Sequence, residues 1–254
     1  MDEPVLLTGA AGRVGTAIRD GIGEDYDFRL FDREPPTGEV DHPLFVGDVS
    51  ERETLVEAME DVAAVVHLAG DPRTEAPWES VLKNNIDGTR TVFEVAVESD
   101  VEKVVFASSN HAVGHYETDR KPDLYRVDDD FRLDGTELPR PSNLYGVSKA
   151  AGETLGRYYH DEYGLSVLNV RIGNLTKDHP PRNYERGQAM WLSHRDCAHL
   201  FDRAIQADYD YEIVYGISDN DRKFYSLDTA REVLGYDPQD NSGEYTFDGE
   251  PKSE

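Results

Sequence analysis

Tyr145 and Lys149 lie four residues apart in the stretch Tyr145-Gly-Val-Ser-Lys149. On a helix that spacing puts both side chains on one face. An ammonium beside a phenol favours the phenolate and lowers a pKa that is otherwise near 10. Such a phenolate takes a proton from a substrate hydroxyl as hydride leaves the same carbon. Ser109 ends an apolar run and is placed to hydrogen-bond that oxygen. The chemistry expected of the three residues is oxidation of an alcohol. A Tyr and a Lys at this spacing are common on ordinary helices, so the reading depends on what surrounds them.

Gly9, Gly12 and Gly15 sit between the apolar run Val5-Leu6-Leu7 and the helical spacing of Val14, Ile18 and Ile22. Glycines there allow a tight turn. They also let backbone N–H groups, including those of Arg13 and Val14, approach a pyrophosphate at a helix N-terminus. Asp32 follows the second apolar run, Phe28 to Phe31. A carboxylate at that point accepts hydrogen bonds from ribose hydroxyls and repels a 2′-phosphate, so NAD is expected over NADP. Arg33 beside it is the kind of residue that accommodates such a phosphate. Asp48 and Val49 follow the third run and are placed to meet the adenine edge, although Asp48 also reads as an exposed turn carboxylate.

The elements that must position these residues are legible as well. Apolar runs at Val5 to Leu7, Phe28 to Phe31, Leu44 to Val46, Ala64 to Leu68, Lys103 to Ala107 and Ser166 to Arg171 read as strands. Between them lie helical patterns, the long ones at Pro77 to Ser99 and Leu144 to Tyr163. Continuous apolar strands alternating with helices predict a parallel sheet covered on both faces. The expected fold is α/β: a Rossmann-like doubly wound parallel sheet with a small C-terminal substrate-binding portion. Residues 1–175 form the expected dinucleotide-binding domain with the catalytic residues. Residues 176–254 form a small substrate-binding portion and acidic tail, not an independent domain. That portion holds helices at Asp196 to Gln206 and Leu227 to Leu234, a strand at Tyr211 to Tyr215, and a tail from Asp237 expected to be mobile. The acidic stretch Tyr116 to Asn143 is expected to be an irregular surface excursion beside the site.

The 254 residues carry 52 acidic side chains against 26 basic ones, a net charge of −26. Such a chain repels phosphate backbones and anionic lipid, so neither nucleic acid nor a membrane is an expected partner. Only 7 of the basic residues are lysines, against 19 arginines. A folded, acidic, lysine-poor protein fits life in molar salt, which shrinks the Debye length to about 3 Å and screens the self-repulsion. The lone Cys197 excludes an internal disulfide framework and a cysteine-based zinc cluster, and a buried small hydrophobe is expected there. The histidines are scattered, so no metal site is expected. No run reaches the roughly 20 apolar residues needed to span a bilayer. Met1-Asp-Glu-Pro has no basic segment ahead of an apolar one, so a cytoplasmic protein is expected.

Thr8-Gly-Ala-Ala-Gly-Arg-Val-Gly15, His67-Leu-Ala-Gly70, Asn85, Ser108-Ser109 and Tyr145-x-x-x-Lys149 together resemble the extended short-chain dehydrogenases/reductases, over about residues 4 to 205. The resemblance implies that Ser109, Tyr145 and Lys149 are a catalytic triad and that Lys149 holds the nicotinamide ribose. It implies that Leu68, Ala69, Gly70 and Ile172 line the cofactor, with Asn85 near the adenosine side. It also implies a homodimer or higher homo-oligomer through the two long helices.

A narrower resemblance follows from Phe106-Ala-Ser-Ser-Asn-His-Ala-Val-Gly114, Leu144-Tyr-Gly-Val-Ser-Lys149, Arg171-Ile-Gly173 and Trp191-x-Ser193. These are similar to the uronate dehydrogenases, which oxidise C1 of a hexuronic acid with NAD. Arg140 to Lys149 and Tyr184 to Ser193 are closer still to a branch of that group, the haloarchaeal NAD-dependent glucose-6-phosphate dehydrogenases. The resemblance implies that Asn110 and His111 face sugar hydroxyls and that Arg186 meets a substrate anion. Where the uronate enzymes carry a serine after Arg-Ile-Gly, this chain has Asn174. Lys177, His179, Arg182 and Arg186 follow, and a dianionic phosphate calls for more positive charge than a carboxylate does. Arg73, His179 and Arg182 are further candidates for that anion. The expected substrate-binding set is Ser109, Asn110, His111, Tyr145, Asn174 and Arg186, with glucose 6-phosphate as substrate. The alternatives are a uronate or other aldose, or an NAD-sensing regulator without catalysis. Such sensors usually lose the Tyr or the Lys, and both are present here.

Overall fold

Strand β1 (Val5–Thr8) is buried along its whole length. It sends alternate side chains to two separate cores: Val5 and Leu7 to one face of the sheet, Leu6 to the other. The same two-residue alternation continues in neighbouring strands, where Val105 and Leu168 join the first core and Val104 and Val167 the second. A strand that is apolar on both faces must be covered on both, and this is why its sequence reads as a continuous run. Truncating a fully buried leucine such as Leu6 or Leu7 to alanine would cost about 2–5 kcal/mol.

The computed structural model describes residues 3–38, 40–182 and 184–247. After β1 come α1 (Arg13–Ile22), β2 (Phe28–Asp32), β3 (Leu44–Val46), α2 (Arg52–Ala58) and β4 (Ala64–His67). Then α3 (Trp78–Ser80) runs through a π-helical stretch (Val81–Asp87) into α4 (Gly88–Glu98). The second half holds β5 (Lys103–Ser109), α5 (Gly114–Arg120), α6 (Leu144–Tyr163), β6 (Ser166–Ile172), β7 (Asn174–Leu175), α7 (Glu185–Ala189), β8 (Trp191–Leu192), α8 (His194–Gln206) and β9 (Tyr211–Gly216).

Seven strands form one parallel sheet in the order β3-β2-β1-β4-β5-β6-β9, and β7 pairs with β8 separately. The chain winds outward from β1 in one direction through β2 and β3. It then returns to β4 beside β1 and winds the other way. The crevice above β1 and β4 is therefore the switch point where ligands bind in open α/β sheets. Helices α1 and α8 cover one face, and α2, α4 and α6 the other. The α/β doubly wound reading holds.

Two segments differ from expectation. The stretch from Tyr116 to Asn143 is not simply a surface excursion. It begins within α5, forms a 3₁₀ turn at Asp123–Tyr125, and buries Glu117, Leu124, Tyr125 and Leu133. Tyr125 packs against Phe224, and Leu133 bridges to Tyr225. The tail from Asp237 is held rather than loose as far as Phe247. The buried Asp196 carboxylate accepts the backbone N–H groups of Gln239 and Asp240 at 2.8 and 3.0 Å. Arg195 pairs with Asp240, and Tyr245 packs edge-on against Trp191. Residues 248–254 lie outside the described residues. Cys197 is buried, as expected.

Candidate active site

A cleft of about 1050 Å³ opens along the C-terminal ends of the strands. At one end is the turn from β1 into α1. Gly9 has φ +72°, and a Cβ there would lie 2.7 Å from the Ala69 backbone nitrogen. Only glycine lets the β1 and β4 turns approach this closely. The N-cap of α1 is Gly12, which offers no side chain to the first-turn N–H groups. Those donors are left for a ligand anion. Asp32 ends β2, and its two carboxylate oxygens accept the Ala11 and Arg33 N–H groups at 2.8 and 2.7 Å. It thus braces the glycine turn while lining the cleft. This half fits a dinucleotide: open N–H donors face a pyrophosphate, and a carboxylate stands ready for ribose hydroxyls.

The same cleft brings together Gly9, Gly12, Arg13, Val14, Gly15, Asp32, Arg33, Asp48, Val49, Leu68, Ala69, Gly70 and Ile172 with Ser109, Asn110, His111, Tyr145, Lys149, Asn174 and Arg186. Asn85 is the exception. It is 2 % exposed and its amide is fully used: Oδ1 accepts from Asp71 N, and Nδ2 donates to Asp71 O and Ser148 Oγ. It ties the turn after β4 to α6 from behind the cleft. Its neighbour Asn84 lines the cleft instead, as does Thr74. Of the further basic candidates, Arg73 is engaged with Asp71, His179 bonds to the Pro180 carbonyl, Arg182 is exposed, and none lines the cleft.

Helix α6 presents Tyr145 and Lys149. Asn143 caps it by accepting from Gly146 N at 2.7 Å. A Cβ on Gly146 would collide with the His111 carbonyl, so glycine is what lets the helix start against the loop after β5. Lys149 is buried and donates to the Ala107 carbonyl at 2.8 Å. Burial pulls its pKa down to about 8, and Glu153 one turn on pulls it back up. The Nζ lies 5.5 Å from the Tyr145 ring centre.

For Tyr145 the balance differs from the sequence expectation. Burial raises its pKa, against a hydrogen bond from Ser109 and the charge of Arg13. Lys149 gives one of its three N–H groups to Ala107 and keeps two for other partners. Ser109 also accepts the His111 N–H at 3.2 Å. The phenol, the serine hydroxyl and a buried ammonium thus line the same cleft.

The far wall holds Arg186 on α7. Its Nε and Nη2 donate to the two carboxylate oxygens of Glu117, the latter at 3.1 Å. Tyr125 donates its hydroxyl to the same carboxylate. Sequence reasoning missed Glu117 among so many acidic residues; the only signal was its place beside the Asn110-His111 motif. Arg171, read as part of a motif, is fully buried and forks onto Glu153 at 2.9 Å on both arms. It locks β6 to α6 and takes no place in the cleft.

A parallel sheet with a glycine turn at its switch point defines a dinucleotide-binding fold of the Rossmann class. Residues 5–195 match the NAD dependent epimerase/dehydratase family, and the chain belongs to that family. It is 69 % identical, over all of both chains, to a Haloferax volcanii protein named NAD-dependent glucose-6-phosphate dehydrogenase. It is 37 % identical to the L-arabinose 1-dehydrogenase (NAD(P)(+)) of the same organism, covering 94 % of this chain and 97 % of that one. Among solved structures, a uronate dehydrogenase variant from Agrobacterium tumefaciens complexed with NAD matches with a TM-score of 0.82 at 30 % identity, covering 95 % of this chain and 86 % of that one. The protein is an NAD-dependent dehydrogenase.

Proposed function

We propose that the protein oxidises glucose 6-phosphate at C1, giving 6-phosphogluconolactone and NADH at the entry to the oxidative pentose phosphate route. The observation that carries this reading is the full-length likeness to the haloarchaeal glucose-6-phosphate dehydrogenase. Arg186 on the cleft wall supports it: two guanidinium nitrogens are held by Glu117, and the side chain lines the cleft. A planar guanidinium fixed in this way is suited to a phosphate.

Bound NAD supplies the acceptor for the C1 hydride. Tyr145 takes the proton of the C1 hydroxyl, and the Ser109 hydroxyl donates to the same oxygen as the C=O bond forms. Lys149 holds the nicotinamide ribose with its ammonium. Asn110, His111 and Asn174 contact the sugar. Residues 1–175 carry the cofactor and the catalytic groups, and residues 176–254 supply Arg186 and the substrate side.

We further propose a cytoplasmic homodimer or higher homo-oligomer. Trp78 and Leu82 on one helical segment, and Leu144, Val147 and Tyr158 on α6, are exposed apolar groups suited to such an interface. No described helix is long and apolar enough to cross a membrane.

The test is NADH formation in molar KCl with glucose 6-phosphate, glucose, glucuronate and L-arabinose at equal concentration. The expected kcat/KM for glucose 6-phosphate exceeds that for glucose by about 100-fold, the scale of a fixed charge pair. Preference for glucuronate or L-arabinose would overturn the assignment and leave an aldose dehydrogenase of different specificity.

A further inference from the structure

Asn143 stands between the first turn of α6 and the imidazole of His111. The group at 2.7 Å on one side is the Gly146 N–H, which can only donate, so the oxygen Oδ1 must face it. The amide NH₂ is thereby turned to the other side, where Nδ2 lies 3.1 Å from Nδ1 of His111. An NH₂ group only donates, so Nδ1 is the acceptor and carries no proton. A neutral imidazole then has its single proton on Nε2. The His111 ring lines the cleft edge-on to Tyr145, with ring centres 5.8 Å apart. Nε2 has no partner among the described residues.

We propose that Asn143 is a positioning residue that fixes His111 as its Nε2–H tautomer, so that His111 donates a hydrogen bond to an oxygen of the bound sugar. The identity of that ligand rests on the proposed function; the tautomer does not. The arrangement has a chemical purpose. Tyr145 is the group that must receive a proton in this cleft. A second acceptor beside it would compete for substrate hydroxyl protons and turn the sugar. A donor instead pins a sugar oxygen and leaves the Tyr145 oxygen as the sole acceptor of the hydroxyl proton.

The groups facing His111 are Asn143, Ser142 at 3.4 Å from Nδ1, Tyr145, Arg186 and Glu117. Burial and the charge of Arg186 hold the imidazole below its ordinary pKa, against Glu117. Both effects favour the neutral ring, the state in which the tautomer matters.

The experiment is long-range ¹H–¹⁵N correlation on the ¹⁵N-labelled full chain in molar KCl at pH 7, with His111 assigned by its loss in His111→Gln. Nε2 is expected to be protonated and Nδ1 bare. Asn143→Ser keeps an oxygen for the helix cap but lacks the donor. It is expected to show a mixture of tautomers and a sugar KM raised about 10-fold, with the KM for NAD near that of the native chain. Asn143→Asp keeps the cap and sets an acceptor opposite Nδ1. It is expected to move the proton to Nδ1, raise the His111 titration by about one to two pH units and add an acid limb to kcat/KM.

A protonated Nδ1 in the native chain, or an Asn143→Ser variant with unchanged tautomer, overturns the role of Asn143. A tautomer that shifts while the sugar KM stays fixed overturns donation to the substrate. If the native chain turns over no aldose at all, the proposed function fails and the spectra alone still decide the tautomer.

Discussion

Arg186 and Glu117 form a fork across the substrate end of the cleft, with Nε and Nη2 donating to the two oxygens of one carboxylate. The carboxylate is almost fully buried and the guanidinium is about one-third exposed. Glu117 cancels the charge of Arg186 at long range but fixes its plane, and the guanidinium lines the cleft. The orientation of an arginine in this cleft is therefore set by an acidic residue from a different helix.

The first prediction concerns that guanidinium. Arg186→Ala should raise the KM for glucose 6-phosphate by about 100-fold and depress oxidation of free glucose far less. Steady-state kinetics on both sugars in molar KCl checks this. Equal losses on the two would mean that the guanidinium is not a phosphate contact.

Tyr145→Phe removes the hydroxyl and little else. Turnover should fall by about 10³-fold or more, the scale of a lost general base. NAD binding, followed by quenching of protein fluorescence, should stay within about twofold. A variant retaining a tenth of native kcat would assign the base elsewhere.

His67 predicts a pH effect on stability. It ends β4, and its ring nitrogens lie 2.8 and 3.0 Å from the hydroxyls of Thr8 and Thr89. Burial, with the charge of Lys149, lowers its pKa to about 3. The unfolded chain binds a proton near pH 6.5 and the folded chain does not until about 3, so stability falls as pH drops through that window. Between pH 6.5 and 5 the loss from this residue is about 2 kcal/mol. His67→Gln should be less stable at pH 7 yet have a flatter stability slope from pH 6.5 to 5 in denaturant titrations. An unchanged slope would show that His67 charges freely in the folded protein.

The net charge of −26 predicts dependence on salt. Near 1 M salt the Debye length is about 3 Å, so carboxylates spread over the surface no longer repel across it. Far-ultraviolet circular dichroism and NADH formation should both decline as KCl is lowered. Full activity with no added salt would show that the fold tolerates its own charge.

Much of the molecule was legible because its signals are local. The runs at Val5, Phe28, Ala64 and Lys103 are strands buried on both faces, and such strands leave no polar face in the sequence. The spacing of Tyr145 to Lys149 and of Gly9 to Gly15 is a matter of helix pitch and turn sterics, both short-range. Asp32 follows from being the residue that ends the second strand.

Other features depended on which distant residues meet. Among 52 acidic side chains, no spacing marks Glu117 as the partner of Arg186, 69 positions away. Asn85 carried a motif position, yet its amide turned to the Asp71 turn. The tail from Asp237 had no apolar pattern to announce that Asp196 holds its backbone. Lys149 was rightly placed near Tyr145, but burial raises the phenol's pKa and the ammonium bonds to Ala107.

By itself the sequence determined the parallel sheet, the glycine turn and the Tyr–Lys face, since each follows from side-chain period and backbone sterics within a few residues. Only the tertiary structure decided which carboxylate orients Arg186, which amide sets the His111 tautomer and how deeply Tyr145 is buried. Those outcomes turn on hydrogen-bond geometry and desolvation, which exist only once remote segments are packed together.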